Sequence, residues 1–321
     1  MSLLTSWLAS PPPDAALELA ADSVSAAVLG TRGAESVVEA FAFEPLPAGA
    51  LTPSLSGQNI PNRAAVASAI QSVISRLGSR PRRMALVVPD VASRVSLVKF
   101  DQVPAARADL DQLIRWHLKK SAPFPIEEAC VTYAPGAPGA DGGREFVVAL
   151  ARRDAVREYE GVCEDAGLYA GIVDLSSFSV VNCFLSGGRV PTGDWLVVHM
   201  RSDYTSIMIM RGGDVIFFRS KPEEDGDSFA DLVHQTTMYY QDRLSGQGFS
   251  RVLVGGTGRT GTDVEVARRG LEERLGTPVE PIDPTRLALL PDRLSDTPEN
   301  VGRVAPLVGM LLRTRQEVQA A

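Results

Sequence analysis

The chain has 321 residues, 45% of them hydrophobic, and a formal net charge of −7. That length and apolar content suffice for roughly two domains with sizeable cores, and a negative balance without a long basic run excludes nucleic acid as a main partner. Cys130, Cys163 and Cys183 are scattered, without CxxC spacing, as expected of buried thiols in a reducing cytosol.

The first ten residues, MSLLTSWLAS, carry no cationic segment and meet Pro11-Pro12-Pro13 too early for a signal peptide. Leu3, Leu4, Trp7 and Leu8 would share one side of a short helix, either as a docking or interfacial anchor or as a segment packed on its own domain or disordered. Ala15–Leu19, Val24–Leu29 and Ser36–Phe43 then read as a strand meander. Val66, Ile70, Val73, Ile74 and Leu77 fall at helical spacing within Arg63–Leu77. Met84–Pro89 is an apolar run of buried-strand type, followed by the alternating strand Arg94–Phe100. A helix is expected from Ala106 to Lys120, with Leu110, Leu113, Ile114, His117 and Leu118 on one stripe, halted by Ala122-Pro123-Phe124-Pro125. His117 on that stripe reads as a core histidine. Trp116, off it, is either an exposed partner anchor or a core aromatic on a second face. Strands Cys130–Ala134 and Glu145–Leu150 flank a Gly/Pro-rich loop. A helix from Arg153 to Ala166, the strand Leu168–Val173 and a helix from Ser176 to Leu185 complete the first half.

The second half repeats the plan. Leu196–Met200, Thr205–Met210 and Val215–Arg219 form a meander, with the hairpin signal Arg211-Gly212-Gly213-Asp214. A helix from Phe229 to Leu244, the strand Arg251–Val254, a helix from Asp263 to Leu275, the strand Pro278–Pro281 and a helix near Gly302–Arg313 follow. Two halves with one order of meander, helix and strand imply an internal duplication of α/β class. The expected division is an N-terminal segment 1–14, a first domain 15–188 with an insertion at about 90–150, and a second domain 189–321. No run reaches the roughly 18 apolar residues that span a bilayer, so no transmembrane segment is expected.

Several segments now carry a resemblance. Ala85–Pro104 (ALVVPDVASRVSLVKFDQVP) and Leu113–Tyr133 (LIRWHLKKSAPFPIEEACVTY) are similar to PilM, the cytoplasmic actin-like protein of type IV pilus assembly platforms. The matching order of helix, Pro-Phe, acidic pair and strand is carried by Lys119, Pro123, Phe124, Glu127, Glu128 and Tyr133. Val252–Arg259 resembles that family's adenosine-side turn, Ile282–Ala288 its strand-to-loop exit, and Ala305–Arg313 its closing helix. The resemblance implies an actin-like, ribonuclease H-like duplicated fold with an inserted α/β subdomain. FtsA-like division proteins and GspL-type secretion proteins share that fold, so an envelope structural protein of those kinds is an alternative.

The resemblance also implies an ATP site, against which each turn can be set. The family's first phosphate turn, close to D-x-G-S-x-x-x-K, aligns with Glu18 to Ser25: the acid persists as Glu18, glycine becomes Ala20 and lysine becomes Ser25. At the second turn His199 and Arg201 stand in place of acid and glycine. Mg²⁺ has thereby lost one of two carboxylates, and phosphate has lost two glycines and a lysine. The Gly255-Gly256-Thr257-Gly258 turn persists, where backbone N–H groups would face a nucleotide. The candidate nucleotide contacts are therefore Glu18, Arg201, Gly255, Gly256 and Gly258. No metal and no cofactor is expected, with ATP and Mg²⁺ as the open alternative. The acidic run Glu223-Glu224-Asp225 with Asp227 reads as a solvated loop.

The function expected is a non-catalytic scaffold, peripheral at the cytoplasmic face of the inner membrane. As the resemblance implies, it would capture the N-terminal tail of a PilN-like bitopic protein in a groove between the first subdomain and the inserted one, here roughly Met84–Leu150, beside other platform proteins. The alternative of another class is an ATP-binding switch of the same machine.

Overall fold

The computed structural model describes residues 13–79, 81–138, 143–186, 190–222, 229–257, 261–291 and 297–320. Leu3–Leu8, Gly258, Glu223-Glu224-Asp225 and Asp227 lie outside the described residues.

The elements follow the chain as β1 (Ala15–Leu19), β2 (Ser23–Arg32), β3 (Glu35–Pro45), α1 (Arg63–Arg76), β4 (Arg83–Val88), β5 (Ser93–Phe100), α2 (Arg107–Leu118), β6 (Ala129–Pro138), β7 (Arg144–Arg152), α3 (Arg153–Asp165), β8 (Tyr169–Leu175) and α4 (Ser176–Leu185). After these come β9 (Asp194–Met200), β10 (Tyr204–Arg211), β11 (Asp214–Pro222), α5 (Phe229–Leu244), β12 (Arg251–Gly256), α6 (Gly261–Leu275), β13 (Val279–Pro281), β14 (Ala288–Leu289) and α7 (Pro298–Ala320).

Two of the three sheets have one plan. The first runs β14-β3-β2-β1-β4-β8 and the second β11-β10-β9-β12-β13. In each, an antiparallel three-strand meander is extended by two parallel strands, β4 and β8 in the first sheet and β12 and β13 in the second. The parallel strands are apolar on both faces because both faces are covered: Met84, Leu86 and Val88 of β4 belong to one core, Ala85 and Val87 to another. The third sheet, β5-β7-β6, is wholly antiparallel and lies between β4 and β8 in the chain. Its Val98, Phe146, Val148 and Leu150 pack under Ile114 and Leu118 of α2.

Local chemistry fixes the ends of these elements. The Asn62 side chain caps α1 by accepting from the Ala65 N–H, and Val66, Ala69, Ile70 and Val73 bury the apolar side of that helix. The β10–β11 hairpin turns through Gly212, whose φ of +56° suits glycine.

Some expectations change. His117 is exposed and meets the edge of Phe100, with centroids 5.7 Å apart; it belongs to the rim and not to the core. Trp116 is 69% exposed, so it is not a core aromatic. The last helix is longer than Gly302–Arg313, and it packs on both the first and the second sheet. β14 pairs with β3, while Val304, Leu307, Val308 and Leu311 of α7 cover Ala16, Leu29 and Val87 of the first sheet. α7 thus covers the second face of the first sheet together with Cys183 and Phe184 of α4, while its Ala305 packs against Trp195, Val197 and Leu253 of the second sheet. Gly309 allows this approach: a Cβ there would strike the Ser179 carbonyl of α4.

Candidate functional site

Two places bring together the residues of interest: the seam between the first and second sheets, and a groove beside the third. At the seam, Glu18 near the end of β1 is buried and accepts hydrogen bonds from the Ser176 hydroxyl at 2.8 Å and the Ser25 hydroxyl at 3.4 Å. Its Oε1 lies 3.4 Å from Nη1 of Arg201, whose side chain is equally buried. That contact pairs charges without forming a hydrogen bond, and Nη1 has no other acceptor. Burial opposes the charge of Arg201, but Glu18 together with Tyr204, Asp22 and Asp203 outweighs it and raises the guanidinium's pKa above its ordinary value.

Asp90, in the turn after β4, is fully buried. Its carboxylate accepts from the Ser177 N–H at 3.0 Å, from the Ser177 hydroxyl, and from the Ser206 hydroxyl of β10 at 2.6 Å. Its own N–H donates to the Tyr204 hydroxyl at 3.3 Å. Burial pushes the Asp90 carboxyl up, and the two serine hydroxyls pull it back. Because the Ser177 proton goes to Asp90, the Ser177 oxygen is left to accept from His199, whose Nδ1 lies 3.2 Å away. Nδ1 therefore carries the proton, and Nε2 is a buried acceptor without a partner. Burial, with the charge of Arg201, pushes His199 down to about 3, so the ring is neutral.

The glycine turn is occupied in a different way. Gly255 and Gly256 continue the parallel ladder of β12 against His199 and Met200, and the Thr257 N–H donates to the Met200 carbonyl at 3.1 Å. Gly256 has a φ of +122°, and a Cβ on it would collide with the Met200 carbonyl oxygen. A Cβ on Gly255 would come 2.7 Å from that of Ile282. Packing alone thus requires both glycines.

The groove has a volume of about 370 Å³. Consecutive residues of two strands line it, Cys130 to Ala134 of β6 and Ile172 to Leu175 of β8, so each strand meets it edge-on. Among the described residues both strands stand at the edge of their sheets. The bottom is apolar and made largely of small side chains, Val147, Ala149 and Ala151 of β7 and Ala155 of α3, with Phe178. Tyr159 closes one side, its hydroxyl donating to Asn59 at 3.1 Å, and Asp174 paired with Arg313 marks the polar end.

A family model described as type IV pilus assembly protein PilM matches residues 16–239. The chain belongs to the PilM family. A solved PilM-PilN type IV pilus biogenesis complex has a similar structure, with a TM-score of 0.81 at 18% identity over 95% of this chain and 99% of that one. Less similar are an actin-like ATPase-fold protein of unknown function from Bacteroides thetaiotaomicron (TM-score 0.49, 12% identity, 88% and 93% covered) and the cytoplasmic domain of EpsL, an inner-membrane component of the Vibrio cholerae type II secretion system (0.47, 12%, 96% and 94%). The fold is the α/β actin-like one, with its three-stranded insertion. Among the described residues, no helix is long and apolar enough to cross a membrane.

For this PilM-family chain, the structure brings Glu18 and Arg201 into contact and sets Gly255 and Gly256 one strand away, beside His199 and Met200. All four are engaged internally. Asp90, Ser176, Ser177, Tyr204 and Ser206 also belong to the seam and were missed by sequence reasoning. Four of them are hydroxyl residues with no motif around them. Asp90 had a signal: an acid directly after a buried, uniformly apolar parallel strand faces the crevice at the strand's carboxyl end. The small residues of β7, Ala149 and Ala151, were likewise a sign of space on one side of a strand.

Proposed function

We propose that this chain is a non-catalytic adaptor of a type IV pilus assembly platform. It holds the extended N-terminal tail of a PilN-like membrane protein in the groove between β6 and β8, at the cytoplasmic face of the inner membrane. The observation that carries this reading is the convergence of two sheet-edge strands, β6 and β8, on one apolar groove. An extended peptide laid there finds backbone donors and acceptors along its length, while the small side chains of Ala149, Ala151 and Ala155 leave room for its apolar side chains. The resemblance to a PilM-PilN complex agrees with it.

The same proposal takes the nucleotide site as degenerate. A Mg²⁺–phosphate group needs a carboxylate free to face it and a turn that backbone N–H groups can open toward it. Glu18 is held by two serines and Arg201, and the glycine turn is closed against β9. These residues do not fit that group. One observation favours the opposite reading, a nucleotide-responsive switch: His199 Nε2, Arg201 Nη1 and Thr257 Oγ1 are buried without a hydrogen bond among the described residues. A small polar guest would satisfy them, and Glu18, Gly255 and Gly256 would be its neighbours.

Capture of the purified chain by an immobilised PilN-type tail peptide tests the adaptor reading. Capture is expected for the natural chain and not for Ala149→Phe, which fills the groove. Absence of capture at high micromolar peptide, or equal capture by the filled variant, would overturn it.

A further inference from the structure

The side chains of the seam and the walls of the groove alternate along the same two turns. In the first, Asp90 points into the seam, while Val88, Ala92 and Ser93 line the groove. In the second, Ser176 and Ser177 bond to Glu18 and Asp90, while Leu175 before them and Phe178 after them line the groove. Phe178 also meets Phe218 of β11, centroids 5.1 Å apart. Each turn is therefore held from behind by the second sheet, through Glu18 to Arg201, Asp90 to Tyr204 and Ser206, and Ser177 to His199.

From this placement we infer that the seam is a built-in bolt which presets the groove, so that the groove's shape is fixed by side chains and needs no nucleotide between the sheets. The consequence for binding rests on the adaptor reading above; the bolt itself does not. The physical reason is burial. Asp90 keeps its two Ser177 donors whichever way the sheets stand, but parting them takes away the Ser206 hydroxyl from its carboxylate and the Tyr204 hydroxyl from its N–H, so the closed seam is the state in which these buried groups are fully paired. Glu18 and Arg201 add the same penalty to opening, because separating them strands two buried charges. A ligand clamping two sheets comes and goes with its concentration, whereas these side chains do not. The groove is then constitutively formed, and binding at it costs no closure of the two sheets.

The chain carries its own reporter. Cys130 lines the groove and is partly exposed, whereas Cys163 and Cys183 are buried, with burial pushing both thiols up to about 12. Labelling of the full chain by N-ethylmaleimide thus reads Cys130. Ser206→Ala removes one donor to Asp90 from the far side of the seam without touching the groove. It is expected to speed Cys130 labelling about tenfold, together with amide exchange in 129–134 and 171–178 and with no change in α1. The single change Arg201→Met, which leaves Glu18 without its counter-charge across the seam, serves as a second route to a loosened seam and is expected to act in the same direction. Mg-ATP should leave the labelling rate of the natural chain unchanged. Equal rates and equal exchange in both variants and the natural chain would overturn the bolt, as would a nucleotide-dependent rate in the natural chain. Since no peptide is used, failure of the adaptor reading and failure of the bolt are told apart.

Discussion

Glu18 and Arg201 face each other across the two sheets, 3.4 Å apart, each side chain 2% exposed. They occupy the two positions at which the family resemblance implies the chemistry of Mg²⁺ and phosphate. In this chain an opposite charge has been written into the sequence at the second turn, and the acid of the first turn is spent on it.

Removing one partner strands the other. Arg201→Met should cost about 3–5 kcal/mol of stability, while Glu18→Gln in the same chain should recover most of that loss, since a buried pair replaced as a whole is close to neutral. Urea denaturation of the single and double variants measures both. A single variant as stable as the natural chain would show that the pair contributes nothing.

His199 gives the seam a pH dependence. Its folded pKa of about 3 lies below the ordinary value of 6.5, so it contributes stability that is present above 6.5 and is lost as pH falls toward 3. His199→Asn keeps a donor toward Ser177 and removes the titration. The variant's stability, followed by denaturant melts between pH 7 and pH 4, should fall less steeply, by the uptake of about one proton.

Asp203, in the turn between β9 and β10, works in the opposite sense. Burial pushes it up to about 6 against the pull of Arg201, with Asp22 and Asp90 adding to the rise. Its contribution is fully present below the ordinary value of 3.8 and is lost as pH rises through 6. Asp203→Asn should therefore stabilise the chain at pH 7 and leave it unchanged near pH 4. Destabilisation at pH 7 would mean that the attraction of Arg201 outweighs the burial.

The glycine turn separates packing from ligand binding. Gly256→Ala should lower stability by more than about 1 kcal/mol, because the residue holds a positive φ against the Met200 carbonyl. The loss should appear in the absence of any nucleotide. If the variant melts like the natural chain, the glycine is free of this contact and available for another role.

The fold was largely legible. Periodicity placed the meanders, the parallel strands and most helices, because burial on one or both faces leaves a direct mark on composition. What escaped is what depends on distance along the chain. Asp90 meets Ser206 and Tyr204 from more than a hundred residues away, and nothing local marks Ser177 as a bridge between an aspartate and a histidine. The replacements at Ala20, Ser25, His199 and Arg201 were visible as departures from a motif, but only the structure pairs Arg201 with Glu18. The return of α7 to the first sheet was hidden for a similar reason: an apolar helix does not state which face it covers. His117 sat on the apolar stripe by spacing, yet the stripe ends at Ile114 and Leu118, which alone reach the core.

The measurement that bears most directly on the central claim is a calorimetric titration of the full chain with a PilN-type tail peptide, run with and without millimolar Mg-ATP. The account predicts one site, the same affinity and the same heat in both runs, and no heat from Mg-ATP alone. Peptide binding that appears or strengthens only with Mg-ATP, or a nucleotide heat by itself, would contradict it.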